Sequence, residues 1–160
     1  MPEFDHVSLL KEPVAQALLS SKIPARLAYT ALDGSPRVIP IWFHWNGQQF
    51  VLGTPPTAPK VKALPMNPKV ALSIDEETFP AKVLLVRGIS TTEVIDGVAP
   101  EYAEAAKRYM GEEQGSAWVT QLGSMFKQMV RIVIQPEWVK ILDFETRFPS
   151  AIESVIKGGS

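Results

Sequence analysis

The chain has 160 residues and a formal net charge of −1, which suits one domain with a substantial core and argues against a general electrostatic grip on nucleic acid. It has no cysteine, which excludes disulfides, thiolate metal sites and cysteine nucleophiles, and only two histidines, His6 and His44, so no multi-histidine metal centre is expected. No run approaches the ~20 apolar residues of a spanning helix, and the start lacks a signal-peptide pattern, so a cytoplasmic protein with one domain over residues 1–160 is expected.

Residues 1–12 carry no clear pattern. Pro13 opens a short helix with Val14, Ala17 and Leu18 on one face. It stops before Ile23-Pro24, because a residue preceding proline is pushed out of the helical region. Arg26–Leu32 reads as a strand, Asp33-Gly34 as a turn and Arg37–Trp45 as the return strand. Pro40 cannot donate a ladder hydrogen bond, so the backbone there belongs at an edge or bulge. Val38, Pro40 and Trp42 make one apolar face of this strand, and Ile39, Ile41 and Phe43 the other. Such a strand needs cover on both sides. A barrel interior on one side and a partner subunit or bound ring on the other would supply it.

Asn46-Gly47 signals a hairpin, and Gln49–Gly53 returns as the third strand. Thr57–Met66 is a short helix with Pro59 in its first turn, ended by Pro65 and Pro68. Lys69–Asp75 is the fourth strand, and Glu76, Glu77 and Pro80 mark a loop. Lys82–Ile95 is one long strand, bent at Gly88. Pro100–Met110 is a helix with Tyr102, Ala105, Ala106 and Tyr109 on one face, stopped by Gly111. Ser116–Met125 is a second helix with Trp118, Leu122 and Met125 on its buried side. Lys127–Gln135 alternates, with Val130, Ile132 and Ile134 on one face and Lys127, Met129 and Arg131 on the other. Pro136 interrupts, and Trp138–Phe144 is the last strand. Ser150 and Glu153 have capping-box spacing for a final helix. The sum is mainly β with helices (α+β): six or seven antiparallel strands in a small β-barrel with peripheral helices.

The strongest local chemistry is Thr54, Thr57, Lys60 and Lys62. Thr57 and Lys60 lie around a helix start, where free N–H groups and the positive helix end attract anions. Hydroxyls and an ammonium complete a phosphate cradle. The plainer alternative is that Thr57 only caps the helix and the lysines are solvated. Trp42, His44 and Trp45 either bracket a planar ring or pack in the core and hairpin end. Arg87, among Val83, Leu85 and Ile89, needs a carboxylate or a ligand anion, whereas Arg131 reads as solvated. Asp33, Asp75, Glu76 and Glu77 fall in or near turns. No serine–histidine arrangement, P-loop or dinucleotide fingerprint is present. No catalytic residue is assigned, and a reactive centre would arrive as a cofactor.

Residues 25–75 (ARLAYTALDGSPRVIPIWFHWNGQQFVLGTPPTAPKVKALPMNPKVALSID) resemble the flavin- and deazaflavin-binding split β-barrel proteins related to pyridoxamine 5′-phosphate oxidase. The matching features are the DG-x-P turn at Asp33–Pro36, the V-x-P-x-W-F strand at Val38–Phe43, and Thr54 after the third strand. The K-x-x-x-L helix at Lys60–Leu64, the N-P-x-V step at Asn67–Val70 and VLLVRGIS at 83–90 complete them. The resemblance implies a six-stranded split barrel, a homodimer, and cofactor sites in the dimer cleft. Carried over by position, it implies that Lys60 contacts the cofactor phosphate with Thr54 and Thr57 nearby. It also implies that the strand of Val38, Ile39, Pro40, Ile41 and Trp42 lies against the ring. The cofactor is FMN or F420. The TPPTAPK loop and the PEYAEAAKRYMG insert are similar to actinobacterial members that use F420, whose longer anionic tail would suit Lys60, Lys62 and Arg37. The fuller arginine and histidine set of a true pyridoxamine phosphate oxidase is missing. The implied activity is hydride transfer between the ring and a small organic substrate. The alternative is a non-catalytic protein that binds or stores flavin, F420 or haem.

Overall fold

The computed structural model describes residues 6–158. The patternless start read for residues 1–12 is corrected in part: His6–Lys11 is a 3-10 helix, while residues 1–5 lie outside the described chain. The elements that follow are α1 (Pro13–Leu19), β1 (Ala25–Thr30), β2 (Pro36–Ile41), β3 (His44–Trp45), β4 (Phe50–Thr54), α2 (Pro59–Met66) and β5 (Lys69–Asp75). Then come β6 (Val83–Asp96), α3 (Pro100–Met110), α4 (Glu112–Met125), β7 (Gln128–Leu142) and α5 (Ser150–Gly158). None of the described helices is long and apolar enough to cross a membrane.

Seven strands form one antiparallel sheet in the order β2-β1-β5-β6-β7-β4-β3. The single return strand expected over Arg37–Trp45 is two strands. Pro36–Ile41 pairs with β1, and His44–Trp45 pairs with β4 at the opposite edge. Only Trp42 and Phe43 lie between them. Consecutive Cα atoms are about 3.8 Å apart, so Ile41 and His44 lie within about 11 Å and the two sheet edges must curl toward each other. The sheet is not closed, because the edges are joined by the chain and not by a ladder. The break is held from outside the sheet: the Phe43 ring is fully buried, and its carbonyl accepts a hydrogen bond from Arg108 Nη2 of α3 at 2.6 Å. Pro40 sits on the edge strand, where a missing N–H leaves no ladder bond unmade on the open side.

Pro136 does not end the last strand. β7 runs through it, because Gly88 pairs with Pro136 while Arg87 pairs with Trp138, leaving Glu137 as the extra residue of a bulge. Gly88 is the bend the sequence suggests. A Cβ there would lie 2.3 Å from the Gln135 carbonyl oxygen. At the start of β7, Met129 and Val130 are both buried, so the alternation that put Met129 on a polar face fails there. Leu27, Leu72, Leu84, Val86, Ile132 and Ile134 line one side of the sheet and pack with Leu18 and Leu64 from α1 and α2.

The other side carries a cross-strand row of Val38, Ala28, Ala71, Arg87 and Trp138. Val38 is 67% exposed. Helix α2 ends at Met66 as expected but starts at Pro59, two residues later than Thr57. The expected capping box is also different: Ser150 Oγ accepts from Lys140, and Glu153 takes the Phe148 N–H at 3.1 Å.

Asp143 closes the turn after β7. It accepts from the N–H groups of Glu145, Thr146 and Arg147 at 2.9, 2.7 and 2.8 Å, and from the Thr146 hydroxyl. These bonds, that of Thr146 foremost, hold its carboxyl well below the ordinary 3.8. The stabilisation is therefore complete above the unfolded-chain value and is lost as pH falls through the acid range. Thermal unfolding followed between pH 7 and pH 2 should show a shallower acid decline for Asp143→Asn than for the wild type.

Candidate functional site

The break after β2 places Trp42 beside helix α3. Its ring stacks on Tyr109 at 5.1 Å between centroids and 12° between planes, and lies 6.1 Å from Tyr102. Helix α3 is fixed by its own polar side chains. Arg108 Nε donates to the Ser21 carbonyl at 2.9 Å, and the Tyr109 hydroxyl donates to the Ile23 carbonyl at 3.0 Å. Helix α4 folds back after Gly111, whose φ of 92° favours glycine. It brings Trp118 to Tyr102, with the indole N–H donating to the phenol oxygen at 3.0 Å.

These elements enclose a cleft of about 680 Å³ lined by Pro24, Ile39, Pro40, Ile41, Trp42, Gly53, Lys60, Tyr102, Met110 and Trp118. Its walls are apolar and aromatic, and its one charged lining residue is Lys60. Lys60 is the second residue of α2, close to the positive end of that helix. It is only 8% exposed, and its side chain has no hydrogen bond or ion pair among the described residues. Burial pushes its ammonium below the ordinary lysine value of 10.5.

The structure thus brings together Lys60, Ile39, Pro40, Ile41 and Trp42. The other residues singled out from the sequence lie elsewhere. Thr54 is buried at the end of β4 and Thr57 is exposed ahead of α2, whose N-cap is Ala58, so Thr57 does not cap it. Lys62 is exposed on α2. Arg37 donates to Ser35 Oγ at 2.7 Å and lies 3.8 Å from Asp33. Val38 and Arg87 share the outer sheet row, where Arg87 stacks 4.0 Å above the Trp138 ring. Trp45 packs on Phe50, and His44 is half-buried outside the cleft. Arg131 is not free: Nε donates to Glu101 at 2.6 Å and Nη1 to Glu93 at 3.1 Å.

Sequence reasoning missed Tyr102, Met110 and Trp118 as cleft residues. The available signal was two aromatics, Tyr102 and Tyr109, on one helical face, and that pattern reads equally well as core. The cleft also has a glycine that makes room for one of them. A Cβ on Gly53 would lie 2.9 Å from Tyr102 Cδ2.

A family model described as pyridoxamine 5′-phosphate oxidase matches residues 12–143. The chain belongs to the pyridoxamine 5′-phosphate oxidase family. Among solved structures, this family member is similar to one named F420 reductase, with 21% identity, a TM-score of 0.57, and coverage of 78% of this chain and 94% of that one. A conserved hypothetical protein from Mycobacterium tuberculosis is similar at 19% identity and a TM-score of 0.62, over 80% of this chain and 81% of that one. The haem storage protein HutZ from Vibrio cholerae is similar at 20% identity and a TM-score of 0.61, over 81% and 93%. At these identities the likeness is one of fold. No curated protein matches the chain.

Proposed function

We propose that this family member is an oxidoreductase that uses FMN or F420 and moves a hydride between the cofactor ring and a small organic substrate. Lys60 carries the reading. Its side chain is largely buried and lines the cleft without a protein partner for the ammonium among the described residues, and the anionic group of a cofactor would supply one. The flat apolar walls made by Trp42, Tyr102 and Trp118 fit a planar ring. When bound, the cofactor supplies the hydride chemistry.

The chain's own residues bind and shield. Lys60 holds the anionic end. Trp42 and the β2 residues Ile39, Pro40 and Ile41 bound the ring. Helices α3 and α4 keep water from one side of the cleft. No carboxylate or histidine lines the cleft, so no acid or base is assigned. Thr54 and Thr57 stay in the proposal as neighbours of the cofactor phosphate, and Lys62 and Arg37 as contacts to the longer anionic tail of F420. The outer row carries exposed Val38 beside the half-buried Ala28 and Ala71, ahead of Arg87 on Trp138, and this partly apolar face supports a homodimer. In that arrangement Val38 and Arg87 would meet the partner subunit.

The cleft's lack of an acid or base favours one second reading, a protein that binds or stores FMN, F420 or haem without turnover. One experiment separates the two. FMN, F420 and haem are titrated side by side, with the mass of each complex measured by light scattering. The bound cofactor is then reduced and candidate acceptors are offered. Reoxidation coupled to acceptor reduction is the expected result. A reduced cofactor that persists with every acceptor supports storage, and no affinity for FMN or F420 rejects both flavin readings.

A further inference from the structure

We propose that the Tyr102 hydroxyl, held by Trp118, is a fixed hydrogen-bond donor that positions the bound ring through an acceptor atom on the ring's edge. An indole N–H only donates, so in the Trp118–Tyr102 bond the phenol oxygen is the acceptor. The Tyr102 proton is therefore free for another acceptor, and the hydroxyl has no other hydrogen-bond partner among the described residues. Tyr109, on the same helix, differs: its hydroxyl already donates to the Ile23 carbonyl at 3.0 Å.

The Tyr102 ring has little room to turn. It lies so close to Gly53 that a Cβ there would approach Cδ2 to 2.9 Å. The phenol is protonated at neutral pH, and burial raises it further above its ordinary 10.0. The cleft thus has two polar groups of different kinds, an ammonium at Lys60 and an O–H donor at Tyr102, set among apolar walls. The ligand class that answers both is a planar conjugated ring with a carbonyl oxygen or ring nitrogen on its edge and an anionic tail. This rests on the FMN or F420 reading and assigns a further positioning residue within it.

The test compares wild type, Tyr102→Phe, Trp118→Phe and the double variant. Each is titrated with FMN and with F420 while affinity and the ring's visible absorption band are followed. Tyr102→Phe keeps the ring and removes the proton. It should weaken binding roughly 3- to 10-fold, in line with the loss of one hydrogen bond. It should also reverse part of the absorption shift seen on binding, a change that a merely structural role would not produce. Trp118→Phe should also weaken binding, through the lost indole donor and part of the wall, and the loss in the double variant should be smaller than the sum of the two single losses. Wild-type affinity with an unchanged absorption shift in Tyr102→Phe, or losses that simply add, would overturn the assignment while leaving the cofactor reading intact. A wild-type protein that binds neither ring rejects both.

Discussion

Replacing Lys60 by methionine should weaken FMN binding about 10- to 100-fold, the effect of removing one charge-assisted contact to phosphate. The same variant should make the ligand-free protein more stable. Lys60 sits 8% exposed without a partner, and methionine keeps its length without the charge. The gain is on the order of 1 kcal/mol, or about 2–4 °C in melting temperature. The pH dependence follows from the same cause. Burial lowers the Lys60 pKa, so between its folded value and the unfolded 10.5 the unfolded chain binds more protons. Ligand-free stability therefore rises with pH across that interval, and Lys60→Met removes the rise. Affinity for the anionic ligand runs the other way, falling as Lys60 deprotonates, and at lower pH than for an exposed lysine. Riboflavin, which lacks the phosphate, is the control. Its affinity should barely change in Lys60→Met. Equal FMN affinity for both proteins would remove Lys60 from the site.

The sequence gives good access to the elements because their boundaries are set locally. Asn46-Gly47, Gly88, Gly111 and the helix-opening prolines Pro13, Pro59 and Pro100 all act within a few residues of themselves, and each turns up where expected. The misreadings come from partners distant in sequence. Pro136 looks like a strand end until Gly88 of the neighbouring strand gives it a bulge. Arg37–Trp45 looks like one strand because nothing local shows that Arg108, 65 residues beyond Phe43, will hold the backbone there. Arg87 seems to need an anion until Trp138, its cross-strand neighbour, offers a ring face. The candidate site divides the same way. Lys60 and the β2 strand are continuous in sequence and can be read together. Tyr102 and Trp118 join them only because α3 and α4 fold back over the break after β2.

That fold-back can be tested at one residue. Gly115 of α4 is buried against α3, and a Cβ there would lie 2.6 Å from Lys107 Cα and 2.7 Å from Lys107 N. Both atoms are backbone, so a side-chain rotation cannot relieve the contact and one helix must move. Gly115→Ala should cost about 2–3 kcal/mol, as overpacking of a close contact does. For a chain of this size that is a fall of roughly 4–12 °C in melting temperature. Gly123 in the same helix provides the opposite case. Nothing lies within 4 Å of its added Cβ. Gly123→Ala should therefore stabilise by about 0.5–1 kcal/mol, because alanine loses less backbone entropy in a helix. The effect should reach the cleft as well. Trp118 is one helical turn beyond Gly115, so moving α4 off α3 pulls the indole away from Tyr102 and opens the wall on that side. Gly115→Ala should then bind FMN or F420 more weakly even at temperatures where it is fully folded, while Gly123→Ala should bind as the wild type does. Equal melting temperatures for the two variants would mean that the α3–α4 contact is looser than these distances require, and the cleft wall would lose its physical support.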